Sequence, residues 1–256
     1  LLMADLRGSG SPRDIVAKLG DTMIALDQSL GTLWTYEIPW TEYGHCPAYI
    51  PAVGDINSDG RDEVNGGYFL LSADGEPMWQ GDIADHMDSV SISQWDDGSM
   101  RAICSGFGHV LDARGNIILR LGEDPVPHGQ EVRVADFLEE MPGPEMVLRY
   151  SAHEPDVCVV SSETGKSVAR LRLNASPNNT GMEAVYWNGP GERALLYNGG
   201  WLWDLETREH TRLPGLPAPA GSEVHRMGWH HCIAADVCGD TREEMAQEAD
   251  RIAPEH

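Results

Sequence analysis

The segment Asp55-Ile-Asn-Ser-Asp-Gly-Arg-Asp-Glu63 places oxygen-bearing side chains at alternate positions of a short turn. Donors spaced this way can converge on one hard cation. Asp55, Asn57 and Asp59 would ligate through side chains, Arg61 through its carbonyl, and Glu63 would close the site, with Gly60 permitting the sharp bend. An all-oxygen set favours calcium over zinc, so a bound Ca2+ is expected. The closing acid arrives earlier than in an EF-hand, and strand-like runs rather than helices flank the loop. The competing reading is a solvated, Asx-rich turn with no metal. Sister segments keep only part of the pattern: Asp136 with Glu145, and Asp236 and Asp240 with Glu243 or Glu244. The turn after Trp187 keeps none. These are expected to be structural turns.

Histidine supplies the second chemical signal. Six of the ten histidines (His45, His86, His128, His225, His230 and His231) fall in stretches that lead up to a recurring Asp or Asn position. Asp85, Asp88, Tyr43, Gln130, Arg133, Asn178 and Arg226 share these stretches. Imidazole there can serve as a general base or as a metal ligand. The plainer alternative is that these histidines cap strand ends, a role that repeats would copy. His109, His153 and His210 lie outside the stretches and read as surface positions.

The elements that position both groups come from a repeat. Six segments share an apolar strand ending in Ala-Asp, Gly-Asp or a substitute, a Gly- and acid-rich turn, and a second apolar strand. Anchored on Asp5, Asp55, Asp96, Asp136, Asn188 and Asp236, they are spaced by 50, 41, 40, 52 and 48 residues. A second beat follows most anchors, as in FLLSADGEPMW and HVLDARGNIIL, where ADGE, ARGN and ETGK supply the positive φ that tight hairpins need. Each unit therefore offers about four strands in about 40 to 50 residues, the size of one propeller blade. The predicted fold is an all-β propeller of four-stranded blades. About five blades are present over residues 1–245, within a ring of about seven or eight. Residues 246–256 read as a polar tail. A β-sandwich would not impose the fixed period. In a propeller the strand before each anchor is innermost, so the histidine stretches would meet at one mouth of the central channel.

Composition narrows the partners. With 41 acidic against 18 basic residues the formal net charge is −23, and only Lys18 and Lys166 are lysines. Such a field repels nucleic acid and anionic membranes, and no apolar run is long enough to span a bilayer. The five cysteines (Cys46, Cys104, Cys158, Cys232 and Cys238) form no CxxC pair, and buried thiols are expected in preference to disulfides.

The blades containing DINSDGRDE, DHMDSVSI, HGQEVRVADF and ADVCGDTREE resemble the FG-GAP-type propellers of rhamnogalacturonan lyases, the eleventh polysaccharide-lyase family. The resemblance runs over most of the chain. It implies a secreted or cell-surface, monomeric enzyme that cleaves an acidic plant or algal polysaccharide by β-elimination at a 4-linked uronic acid. Such chemistry neutralises the carboxylate, removes the C5 proton and assists departure of O4. His86 or His128 would then be the base and Tyr43 a proton donor. Arg226 or Arg133 would face the substrate carboxylate, with Arg226 preferred because alternation along VRVAD can turn Arg133 away. Calcium could share that role. His45, Asn178, His230 and Trp229 would contact the sugar chain, and Trp40 and Trp95 are further stacking candidates. Two departures stand out: the final GDTREE turn lacks nearby aromatics, and the ring looks incomplete. A non-catalytic calcium-binding propeller that holds carbohydrate or protein through the same face is the alternative. A glycoside hydrolase would need facing carboxylates, which Asp85 and Asp88 on one segment do not supply.

Overall fold

Gly75, Gly115 and Gly165 take φ of 80°, 76° and 67°, so the turns ADGE, ARGN and ETGK do close hairpins. The computed structural model describes residues 1–43, 47–81, 87–122, 126–151, 154–175, 181–189, 191–214 and 232–247. Two compact units divide the chain, Leu1–Val132 and Arg133–His256.

Among the described residues there are five four-stranded sheets, one two-stranded sheet and no α-helix. The first blade joins β1 (Leu2–Ala4), β2 (Asp14–Leu19), β3 (Thr22–Leu26) and β4 (Thr32–Glu37). The second joins β5 (Ala52–Gly54), β6 (Glu63–Asn65), β7 (Phe69–Leu71) and β8 (Pro77–Gln80). The third joins β9 (Val90–Gln94), β10 (Met100–Cys104), β11 (His109–Leu111) and β12 (Ile117–Arg120). The fourth joins β13 (Glu131–Ala135), β14 (Glu145–Arg149), β15 (Asp156–Ser161) and β16 (Ser167–Arg172). The fifth joins β17 (Glu183–Val185), β18 (Leu195–Asn198), β19 (Trp201–Trp203) and β20 (His210–Arg212). A last pair, β21 (Cys232–Ala235) and β22 (Glu244–Gln247), completes the order. Strands neighbour one another in chain order throughout, the meander of propeller blades. β22 extends to Gln247, opposite Cys232, past the boundary expected at residue 245. Backbone pairing holds this mostly polar strand, with Met245 packed against the cluster of Val185, Tyr197, Leu202 and Cys232.

Burial ranks the strands as a propeller requires. The second and third strands are enclosed on both faces, as in β6, β7, β14 and most of β15, whereas β4, β12, β16 and β20 are largely exposed. That is why FLL, EMVLR and DVCVVS run apolar without alternating: side chains on both faces are buried. Each fully buried Leu or Val there contributes about 1.5–3 kcal/mol.

Neighbouring blades are joined by repeated devices. Trp34 on β4 lies against the turn of the next blade, where a Cβ on Gly75 would sit 2.6 Å from the indole, and its Nε1 donates to Ala73 O at 2.9 Å. Trp79 on β8 repeats this one blade on, 2.3 Å from a Cβ on Gly115. The loops after the first strands also reach back. Asp62 N donates to Asp5 O, Ala194 N to Asp136 O, and Glu243 N to Tyr186 O. The small residue of the Ala-Asp/Gly-Asp motif follows from crowding of inner strands, since a Cβ on Gly54 would lie 2.8 Å from Ile92 Cγ2.

Cys104, Cys158 and Cys232 are buried thiols and Cys238 is an exposed one, while Cys46 lies outside the described residues. His109 corrects its surface reading. The ring is fully buried, with Nδ1 2.7 Å from Gly106 O, and burial lowers its pKa. His210 is exposed, as expected, and stacks on Trp203 at 4.3 Å. His153 lies outside the described residues.

Candidate functional site

The first strand of each blade runs from a lead-in segment at one end to the anchor residue at the other. The lead-ins of the second to fourth blades come together along one rim in the first unit. Tyr49 N donates to Asp88 O at 3.2 Å, and Ile50 forms a parallel bridge with Ser89. Val132 N in turn donates to Ser89 Oγ at 3.3 Å. The lead-ins of the third and fourth blades rest on the turn between the second and third strands of the preceding blade, while that of the second is held by Lys18 near the end of β2 and by the β6–β7 turn of its own blade. Lys18 Nζ donates to Ala48 O at 2.9 Å, and Ala48 N to Gly66 O at 3.1 Å. A Cβ on Gly67 would meet Met87 Cβ at 2.7 Å, and one on Gly129 would meet Ser105 O at 2.0 Å. Buried polar groups at the ends of second strands complete the tethering: Asn65 Nδ2 donates to Ser91 O and Ile103 O.

His128 is half-buried on this rim, its Nε2 3.0 Å from Gln130 Nε2. In that amide orientation Gln130 Oε1 is buried with no hydrogen-bond partner among the described residues. The amide and the imidazole Nε2 are paired, and which of them donates is set by the amide orientation and the imidazole tautomer together. Tyr43 is placed differently. Its ring stacks on Tyr68 at 4.5 Å within the apolar cluster of the first two blades. Burial pushes the phenol well up, with the neighbouring Tyr36 adding to the shift. Arg133 forms a two-pronged ion pair with Glu183, Nε to Oε2 at 3.0 Å and Nη2 to Oε1 at 2.8 Å, and so links β13 to β17. The alternation argument that disfavoured Arg133 did not foresee this partner from the next blade.

Trp95 is enclosed beside its anchor, at the end of β9 away from the lead-ins, with Arg101 over its ring at 4.7 Å. It is therefore not a sugar platform. His45, His86, Asn178, Arg226, Trp229 and His230 lie outside the described residues, as do Asp85, His225, His231 and the side chain of Trp40. Lys18 and Tyr49 are rim residues that motif reading missed. Their signal was available only as the rarity of lysine in an acidic chain.

The Asp55 loop occupies the opposite end of β5. From Ile50 to Asp55 the near-extended chain covers about 17 Å, so an ion in this loop is not the one to neutralise a carboxylate at the lead-in rim. Within the loop, Asp55 accepts Asp59 N at 2.9 Å and Gly60 N at 2.8 Å, Asn57 Oδ1 accepts Asp59 N, and Asp59 accepts Arg61 N. Ser58 and Gly60 supply positive φ. The Glu63 side chain turns inward, accepting from Ile56 N and Asn57 Nδ2 at 3.1 Å each. The residue is 1% exposed. Burial pushes the carboxyl up to about 7, with Asp59 and Asp55 adding to the effect. Among the described residues no three His, Cys, Asp or Glu side chains form a ready metal cluster. The donor chemistry still fits a hard dication. Each carboxylate oxygen that accepts one N–H keeps a second lone pair, and a cation would relieve the crowding around Glu63. Arg61 turns its guanidinium away, to Leu6 O and Asp74.

The sister loops keep the architecture. Asp5 and Asp236 accept amides four and five residues on, as Asp55 does. Glu145 accepts Phe137 N and Leu138 N, and Glu244 accepts Val237 N and Cys238 N. The last acid of these loops is thus a staple across its own turn, buried at Glu63 and Glu145 and partly exposed at Glu244.

No family model matches the chain, so the FG-GAP assignment has no support from sequence families, and no curated protein matches it. Solved structures do. Rhamnogalacturonan lyase YesW is similar with a TM-score of 0.71 and 18% identity, over 97% of this chain and 43% of that one. The Bacillus licheniformis rhamnogalacturonan lyase PL11 is similar with a TM-score of 0.68 and 17% identity, over 97% and 43%. BamB from Moraxella catarrhalis is similar with a TM-score of 0.51 and 13% identity, over 81% and 63%. The chain spans less than half the length of the two lyases. At these identities the likeness establishes the fold: an all-β run of propeller blades.

Proposed function

We propose that this chain is the blade-bearing part of a polysaccharide lyase that cleaves a uronic-acid-containing, rhamnogalacturonan-like polysaccharide by β-elimination outside the cell. The observation that carries the reading is the backbone likeness to rhamnogalacturonan lyases over 97% of the chain. The lead-in rim, which gathers His128 with Gln130, supports it. In this reading His128, held in place by Gln130, takes the C5 proton, with His86 as the other candidate base. Arg226 is proposed to meet the substrate carboxylate, with Arg133 the alternative, although its charge is engaged by Glu183. Tyr43 supports the rim by packing, because a buried phenol whose pKa is raised releases its proton poorly. His45, Asn178, His230 and Trp229 are proposed to contact the sugar chain. Asp55, Asn57, Asp59, Arg61 and Glu63 would hold Ca2+, which would supply charge neutralisation for the turn and lock the second blade.

A second reading is a non-catalytic propeller that binds carbohydrate through the same rim. One observation favours it: Tyr43 and Arg133, two of the residues expected to act chemically, are engaged in blade packing. Incubation with rhamnogalacturonan separates the two. Elimination leaves an unsaturated, ultraviolet-absorbing sugar end, and His128→Ala should abolish its formation. A folded, complete ring that binds the polysaccharide without any rise in absorbance would overturn the lyase reading and leave the binding one.

A further inference from the structure

We propose that the groove lined by Lys18, Gly20, Asp21 and Tyr49 binds an acidic pyranose residue, with the Tyr49 ring against the sugar face and the Lys18 ammonium on its carboxylate. The inference rests on the carbohydrate reading above and adds a subsite to it. The groove measures about 500 Å³, within the range of small-ligand sites. It lies between the β2–β3 turn of the first blade and the lead-in of the second, on the rim that carries His128.

Both recognition groups are held in place. Lys18 Nζ donates to Ala48 O at 2.9 Å and Pro47 O at 3.4 Å, and stands 5.6 Å from the centre of the Tyr49 ring. Tyr49 is fixed through its backbone bond to Asp88, yet 37% of the residue stays exposed. An aromatic face beside a fixed ammonium matches a ring that carries one carboxylate. Among the described residues no neighbouring atom lies within 4 Å of where a Cβ on Gly20 would stand, which keeps the floor open. Asp21, exposed at the edge, can accept sugar hydroxyls. Its charge disfavours multiply charged phosphates, so a single carboxylate is the better match.

Isothermal titration with a short galacturonate oligosaccharide, and with a galactose oligosaccharide of equal length, tests this. The acidic ligand should bind and the neutral one should bind far more weakly. Tyr49→Ala should weaken acidic binding about five- to tenfold, and Tyr49→Phe should preserve it. Asp21→Asn should tighten binding about two- to threefold. Because Lys18 also tethers the second lead-in, these Tyr49 and Asp21 variants carry the test, with Lys18→Met read only if its melting curve is unchanged. Equal affinity for both ligands, no binding of the acidic one, or acidic binding indifferent to Tyr49→Ala and Asp21→Asn would each overturn the subsite. Product absorbance is measured separately. Elimination without Tyr49-dependent binding sinks the subsite alone, and Tyr49-dependent binding without elimination sinks the lyase reading alone.

Discussion

Metal-free protein should lose stability as the pH rises from about 4.5 to about 7.5, and Glu63 should account for a measurable part of that loss. The carboxyl of Glu63 is raised from 4.5 to about 7 in the folded chain. Below the lower value both folded and unfolded states hold the proton. Between the two values the unfolded chain releases it first, so each step up in pH favours unfolding, and the loss is complete above the folded value. At about 1.4 kcal/mol per pH unit the difference amounts to about 3 kcal/mol, an upper limit. Glu145, raised to about 7 by burial with Asp136 adding to it, should contribute in the same direction. The perturbation is Glu63→Gln, which keeps an acceptor for Ile56 N but cannot titrate. Urea unfolding across the interval in chelator should show a shallower pH slope for Glu63→Gln than for the parent. Calcium should then stabilise the parent most at the upper end, where Glu63 is ionised and can serve as a ligand, and stabilise the variant less. Identical pH slopes for parent and variant in chelator would refute the assignment of Glu63 as a buried, proton-holding staple. An equal calcium response in both would refute its place in a cation site.

Four further outcomes follow. His128→Ala should lower the rate of unsaturated product formation by about 10²–10⁴, while Gln130→Ala should shift the pH profile of that rate, because the amide is hydrogen-bonded to the imidazole Nε2. Tyr43→Phe should retain most of the rate, since the hydroxyl is buried beside Tyr36; a loss as large as that of His128→Ala would restore it as proton donor. Gly115→Ala should destabilise by about 2–4 kcal/mol in urea unfolding, from a positive φ plus a clash with Trp79. Gly98→Ala, with the same sign of φ and nothing within 4 Å, should cost only about 1 kcal/mol. Arg133→Ala should destabilise by about 1–3 kcal/mol by stranding the Glu183 carboxylate, with Arg133→Ala/Glu183→Ala recovering part of it in a double-mutant cycle.

The period of the anchors, the positive-φ glycines in ADGE, ARGN and ETGK, and the apolar runs between them determine the blades by themselves. Local turn chemistry and strand burial are written in neighbouring residues, so Asp5, Asp55, Asp96, Asp136, Asn188 and Asp236 mark the ends of first strands. The common form of the acidic loops was legible for the same reason. What crosses from blade to blade was not. Trp34 meets Gly75 and Trp79 meets Gly115 across about 40 residues of chain, and no local pattern announces which turn an indole will cover. Arg133 was judged by alternation along its own strand, but its charge is settled by Glu183 from the next blade. Tyr43 carries a proton-donor type, yet burial, with Tyr36 adding to it, raises its pKa. The acidic loop and the lead-in segment lie close in sequence around β5, but a strand has two ends, and its direction puts Asp55 and Ile50 at opposite ones. Residue type and spacing thus settle which groups can act, while the environment that decides whether they do is assembled only by the tertiary structure.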